Sequence, residues 1–445
     1  MDSHLRVYGD FKIRTFGCRL NSSESDAIEV IAREAGIRNA IVFNSCAVTS
    51  EAVRKVKQSI RKERNENPTS YILVTGCAAQ INPQEFSSMP EVDMVFGNRE
   101  KIQPKFWKTV AENQDVDFSV KRKEGCISDA KKVHVADIME SSNETENSGW
   151  FEKIRSGQGL PTKRTRAYVQ VQMGCDHRCT FCIIPYGRGP SRFIPEGRVI
   201  DQVQTFVQQG YSEIVLTGVN ITSWGMDCEE KKSLGDLVQK ILHAVPDLQR
   251  LRLSSVDCAE IDCCLLDTMK YEPRLLPYFH FSLQSGDNMI LKRMKRRHSR
   301  EEALLVCAEL LAHRKDAVFG ADIITGFPTE TEEHFQNSLA LVSECHLTFL
   351  HVFPYSPRQG TPAARMPQVS RSLAKERAER LRDAGQRNKE IWLGNQIGKM
   401  AKILVERNGT GRTETFAEVV FAEKKESGSI VNTKILAADS QYLYA

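Results

Sequence analysis

No stretch of this 445-residue chain approaches the ~20 consecutive apolar residues needed to cross a bilayer. The N-terminus, MDSHLRVYGDFKIRTFGC, has no apolar run of the kind a secretory signal carries. The expectation is a protein of the cytoplasm, with no membrane partner. In that reducing setting 13 cysteines are not a disulfide framework, and clusters of them point to metal or redox chemistry. A large charge of one sign is also missing: the net +4 is too small to announce a nucleic-acid partner by itself. Nor are apolar side chains scarce, since 41% hydrophobic against 27% charged residues excludes global disorder.

The basic residues that are present come in bunches: Arg54 to Arg64, Lys163 to Arg166, and Lys292 to Arg297. Each bunch is open to two readings, a surface that meets a phosphate backbone or a solvated helix face.

The length predicts two or three domains. To about residue 140, FKIRTFG, AIVFNS and YILVTG read as buried strands, and ESDAIEVIAREA and EAVRKVKQSIRKER as helices, an alternation that makes a parallel sheet covered by helices. Residues 141–166 are polar and basic and read as a linker. From 167 to 390, AYVQVQ, EIVLTG, LRLSSV, YFHFSLQ, VFGADIIT and FLHVFPY alternate with helical stretches. Six β–α repeats are too few for a closed eight-stranded barrel and predict a partial one, with ligands at the C-terminal strand ends. Residues 391–445 read as a small all-β module. The fold class is α/β.

Two cysteine sets carry the chemistry. Cys175, Cys179 and Cys182 form C-x3-C-x2-C directly after AYVQVQ. Three thiolates hold three irons of a four-iron cluster and leave the fourth open, whereas an electron-carrying cluster normally uses four cysteines. Zinc with His177 as fourth ligand, or three structural cysteines, are the rival readings. Cys18, Cys46 and Cys77 lie far apart in sequence, but each directly follows a predicted strand. Equivalent ends of parallel strands lie side by side, so these thiols are expected to converge on a metal or cluster site. The remaining cysteines, Cys126, Cys228, Cys258, Cys263, Cys264, Cys307 and Cys345, show no such convergence and read as small core or surface residues.

The C-x3-C-x-Phe-C element resembles the signature of the radical S-adenosylmethionine (SAM) superfamily. Together with TFGCRLNSSESD, NSCAVTSEAVRK, VTGCAAQ, VDMVFGN, IIPYGRGPSR, FSLQSGDN, DIITGFPTET and FPYSPRQGTPAA, it resembles the methylthiotransferase family of these enzymes over nearly the whole chain. The resemblance implies two [4Fe-4S] clusters and SAM. Cys175, Cys179 and Cys182 would hold the catalytic cluster whose open iron binds SAM, with Phe181 near the adenine. Cys18, Cys46 and Cys77 would hold an auxiliary cluster that carries the sulfur to be transferred. It also implies an N-terminal methylthiotransferase domain, a radical SAM core and a C-terminal module of the TRAM type.

Within the family the likeness leans to enzymes that add a methylthio group to C2 of N6-threonylcarbamoyladenosine at position 37 of tRNA. Branches acting on a ribosomal-protein aspartate or on isopentenyladenosine are the alternatives, and a metal-stapled RNA-binding protein is the non-enzyme one. The implied partners are the tRNA anticodon loop and a reductant such as flavodoxin or ferredoxin. The expected SAM contacts are Thr217, Gly218, Ser282, Gln284, Asp322 and Gly326 at strand ends, the glycines allowing close backbone approach. Arg188 and Arg192 are open to contacting substrate phosphate or carboxylate, or to forming structural ion pairs.

Overall fold

A computed structural model describes residues 4–8, 10–114, 132–139, 165–226, 230–407 and 409–445. Most of the expected linker, 141–164, lies outside the described residues, as do Cys126, Cys228, Lys163 and Arg164. The chain forms two compact units: Met1–Thr162 with Met173–His177 and Cys182–Arg192, and Lys163–Gln172 with Arg178–Phe181 and Phe193–Ala445. They do not follow chain order, because the segment around the C-x3-C-x2-C motif is shared between them.

The first unit is built on a six-stranded sheet that runs through His4–Tyr8, Phe11–Thr15, Ala40–Ser45, Tyr71–Gly76, Met94–Phe96 and Val133–His134 in sequence order. Only the first pair is antiparallel. Ala40–Ser45 and Tyr71–Gly76 are buried at every position, as central strands covered on both faces must be. The connections are helices, among them Arg19–Glu34 and Ser50–Glu66. Thr49 caps the latter by accepting from the Ala52 N–H.

That helix carries the first basic bunch, and the structure answers its ambiguity. Arg54 pairs with Glu51, Lys57 with Glu85, Arg61 with Glu91, Lys62 with Glu66 and Arg64 with Asp93. The face is laced with ion pairs rather than left open.

In the second unit, six parallel strands follow one another. Ala167–Gln170, Glu213–Thr217 and Arg250–Leu253 form one sheet, and Tyr278–Gln284, Val318–Thr325 and Leu347–Pro354 another. Parallel bridges at Leu251–Leu275 and Val256–Phe281 continue the first into the second. Helices fill the intervals, three of them entered through reciprocal capping boxes at Ser233, Ser299 and Thr331. The result is the expected partial barrel.

After the helix Arg371–Gly394, a second six-stranded sheet begins at Met400. It is fixed to the barrel strands by Phe416, whose ring stacks on Tyr278 at 5.2 Å and lies under the guanidinium groups of Arg166, Arg252 and Arg412. Beneath them Glu213, fully buried, pairs with Arg166, Arg250 and Arg252 at 3.2, 2.9 and 2.8 Å. Arg166, from the second basic bunch, is thus turned inward. No helix among the described residues is long and apolar enough to cross a membrane.

Candidate active site

In the first unit, the three strands expected to present thiols do so. Cys18 follows Phe11–Thr15 at the N-cap position of the helix Arg19–Glu34, Cys46 follows Ala40–Ser45, and Cys77 follows Tyr71–Gly76. The turns are tight. Gly17 and Gly76 both have φ of +94°, and a Cβ at Gly76 would lie 2.4 Å from the Ser45 backbone nitrogen and oxygen. A Cβ at Gly17 would fall 2.8 Å from the Cys46 sulfur.

The thiols feel one another. Burial pushes Cys46 up to about 12, with Cys77 and Cys18 adding to the rise. Cys18 is exposed at its surface side, yet the desolvation of its surroundings raises its thiol, Arg188 opposing and Cys77 reinforcing the rise. Thiols crowded in this way become favourable thiolates when a metal offsets their desolvation and repulsion, so the donor set fits an iron–sulfur cluster.

The partner that sequence reasoning left undecided is Arg188. It is buried, its Nε donates to the Cys77 sulfur at 3.0 Å, and its terminal nitrogens bond Glu24 and Asn21. Lys101, also buried, donates to Glu24 at 2.6 Å and to Asn98 at 2.6 Å. Burial would raise the Glu24 carboxyl, but Arg188 and Lys101 hold it below its usual range. Two buried cations against one carboxylate leave a positive charge beside Cys77, which a thiolate or an anionic cluster balances. Arg188 therefore does not reach a substrate phosphate. Arg192 lies 3.4 Å from both the Met173 sulfur and the Arg188 carbonyl.

The residues of the C-x3-C-x2-C motif are divided between the two units, and each part is held within its own unit. In the first unit, the Cys175 N–H donates to the Gly189 carbonyl at 3.1 Å, and Gly174, with φ of +74°, packs so closely on Pro190 that no side chain would fit. Cys182 also belongs to this unit. In the second, the Thr180 N–H donates to Met294 O and its hydroxyl to Arg293 O, while the Ala363 N–H donates to Thr180 O. The Arg296 guanidinium lies 3.9 Å from the Cys179 sulfur and is held there by Asp257 at 2.8 Å and the Ser282 carbonyl at 2.6 Å. Burial alone would lower its pKa, yet Asp257 and Cys179 raise it. Arg296 was hidden in the third basic bunch, where Arg293 bonds Thr329 and Arg297 bonds Glu260.

The remaining expected residues lie in the second unit. Phe181 packs edge-on against Phe327 in an apolar cluster with Ile290, Met294 and Ile324. Thr217 ends its strand, buried. Ser282 and Gln284 end another, with Gln284 at φ +68° beside a break in strand register. A non-glycine residue held there is strained, as residues at ligand sites often are. At Gly326 a Cβ would meet Ala374 at 2.3 Å, and at Gly218 the Gln172 carbonyl and Ile221, so both positions also need glycine for packing within the protein. Asp322 faces His280 and His351.

A third cysteine grouping was missed. Cys258, Cys307 and Cys345 are buried; a hydrogen bond with Cys345 and burial raise the Cys307 thiol, and burial, with Asp257 and Cys345 adding to it, raises Cys258. Their positions at a 3-10 turn, inside a helix and after another share no strand-end pattern that could have announced them.

Comparison with known proteins decides the family. The radical SAM superfamily matches residues 169–342 and the uncharacterized protein family UPF0004 matches 10–97. The threonylcarbamoyladenosine tRNA methylthiotransferase MtaB of Rickettsia prowazekii is 43% identical over 97% of this chain and 96% of its own length. The chain belongs to the MtaB methylthiotransferases. The MtaB of Bacillus subtilis is 32% identical over 96% of this chain and 94% of its own. A tRNA-2-methylthio-N(6)-dimethylallyladenosine synthase of Erythrobacter litoralis stands at 29% over 96% of this chain and 95% of its own. Both matched regions of this MtaB family member contain one of the two cysteine sets.

Proposed function

We infer that this chain is a radical SAM methylthiotransferase that adds a methylthio group to N6-threonylcarbamoyladenosine in tRNA. The full-length similarity to MtaB proteins carries the reading. Its cofactors are two [4Fe-4S] clusters and SAM, which when bound supply a carbon-centred radical able to take hydrogen from unactivated adenine C2, and the sulfur that replaces it.

The proposed ligands are Cys175, Cys179 and Cys182 for one cluster and Cys18, Cys46 and Cys77 for the other. The chain's own work is placement and charge. Arg188 and Arg296 set a guanidinium against Cys77 and Cys179. Phe181, Thr217, Gly218, Ser282, Gln284 and Gly326 are the proposed SAM contacts, whereas Asp322 is engaged by His280 and His351. The target base, in the anticodon loop at position 37, leaves its stack to reach the site. A flavodoxin- or ferredoxin-like reductant of the cytoplasm supplies electrons.

Anaerobic reconstitution with iron and sulfide, followed by assay of 5′-deoxyadenosine and of tRNA nucleosides, tests this assignment. Cys182→Ala is expected to abolish 5′-deoxyadenosine. Cys46→Ala is expected to keep its formation and lose thiolation; thiolation retained in that variant overturns the two-cluster assignment. Zinc bound with no 5′-deoxyadenosine would favour a metal-stapled RNA-binding protein instead.

A further inference from the structure

Three neighbouring barrel strands place donor atoms of another kind on one face. In the strand Tyr278–Gln284, Tyr278 and His280 share a face by alternation; in Val318–Thr325, Gly320 and Asp322 do; and His351 follows in Leu347–Pro354. The register sets His280 opposite Gly320 and Asp322 opposite His351. The outcome is a compact trio. His280 Nε2 and His351 Nδ1 each lie 3.1 Å from the same Asp322 carboxylate oxygen, and the three ligand atoms all lie within 4.8 Å of one another.

We propose that His280, Asp322 and His351 form a site for a divalent transition-metal ion, zinc being the best fit, separate from the iron–sulfur sites. Bonds of ~2.0 to 2.1 Å in a tetrahedral site put neighbouring donors roughly 3.4 Å apart, close to the spacing found. Two imidazoles and a carboxylate suit zinc, iron(II) or manganese, whereas the six cluster cysteines offer only sulfur.

The surroundings are built to hold this geometry. The Tyr278 hydroxyl meets the other ring nitrogen of His280 at 3.0 Å and so fixes which nitrogen faces Asp322. Gly320 makes room for that contact: a Cβ there would lie 2.4 Å from the Tyr278 oxygen and 2.6 Å from His280 Nδ1. His280 is buried, Asp322 is half-buried and His351 is exposed. The trio therefore has a wet side on which a fourth ligand, water or a carboxylate, completes the coordination.

The test is metal analysis of the chain with both clusters reconstituted, dialysed anaerobically against micromolar zinc. The wild type is expected to retain about one zinc per chain beyond its iron, with X-ray absorption showing only nitrogen and oxygen neighbours at ~2.0 to 2.2 Å. His351→Ala and Asp322→Asn should lose that zinc while keeping iron, sulfide and melting temperature. Tyr278→Phe should weaken retention about tenfold or more. The exposed His351 makes its variant safe against misfolding. Failure of the wild type to retain zinc, sulfur among the zinc neighbours, or undiminished zinc in both ligand variants overturns the proposal. Apart from sulfur among the zinc neighbours, which would place zinc on cysteines, none of these outcomes bears on the cysteine assignments.

Discussion

Replacing Arg188 by methionine keeps most of the side-chain volume and removes the guanidinium that touches Cys77. What is lost is an N–H donor 3.0 Å from the sulfur and the pairing with Glu24 and Asn21. Glu24 retains Lys101 at 2.6 Å, so the buried carboxylate is not orphaned and the domain is expected to fold. The charge balance changes from net positive to neutral before any thiolate is counted. A hydrogen bond to a charged group is worth ~1.5 to 3 kcal/mol. At 1.4 kcal/mol per tenfold, any equilibrium that needs Cys77 as a thiolate should weaken by roughly 10- to 150-fold. The assay is reconstitution at limiting iron and sulfide, reading iron content and the electron paramagnetic resonance of the auxiliary cluster in a Cys182→Ala background, where the other cluster is absent. Lys101→Met is the control, because it removes a Glu24 partner without touching Cys77. Wild-type cluster content in Arg188→Met across the iron titration would refute the reasoning and reduce Arg188 to a partner of Glu24.

Glu213 offers a test of the link between barrel and C-terminal sheet. Its carboxyl, against the effect of burial, is lowered from 4.5 to about 2 by Arg252, Arg166 and Arg250, which corresponds to about 3 kcal/mol of folded-state preference for the charged form. Since the folded pKa is the depressed one, that stability is fully present above about pH 4.5 and is lost as pH falls towards 2. Glu213→Gln should therefore lower the melting temperature by several degrees at pH 7 and blunt the acid sensitivity; an unchanged melt contradicts the network's role. Gly76→Ala should cost several kcal/mol and drop cluster content, since it combines a positive φ with a 2.4 Å clash on Ser45; normal expression and iron content would show that the turn can relax. Phe416→Ala, which removes the ring under three guanidinium groups, should loosen the C-terminal sheet and speed its hydrogen exchange while leaving exchange of Ala40–Ser45 unchanged.

Much of the fold was legible because its strands are continuous buried runs. AIVFNS and YILVTG announced Ala40–Ser45 and Tyr71–Gly76, and each of the six barrel segments from AYVQVQ to FLHVFPY appears as a parallel strand. Strand-end position was enough to pick out Cys18, Cys46 and Cys77, since parallel strands bring equivalent ends together whatever lies between them. In the C-terminal sheet, strands such as Thr410–Thr413 and Leu443–Tyr444 are short and without clear alternation, so the all-β character of 391–445 was legible but not its strand-by-strand layout.

The charged interior was illegible for a different reason. Glu24 and Cys77 stand 164 and 111 residues from Arg188, and nothing local distinguishes a guanidinium that will be buried from one that will meet phosphate. The same holds for Arg166 and Arg296, whose partners Glu213 and Asp257 are set by tertiary packing. The His280, Asp322 and His351 trio depends on register between strands, which sequence periodicity does not specify.

The central claim is the reaction on threonylcarbamoyladenosine, and its most direct measurement is mass spectrometry of tRNA nucleosides from cells lacking this gene. The account predicts loss of the 2-methylthio derivative of N6-threonylcarbamoyladenosine, with the unthiolated nucleoside retained and the derivative restored by the wild-type gene but not by Cys46→Ala. An intact nucleoside profile, or loss of the methylthio isopentenyladenosine instead, would contradict it.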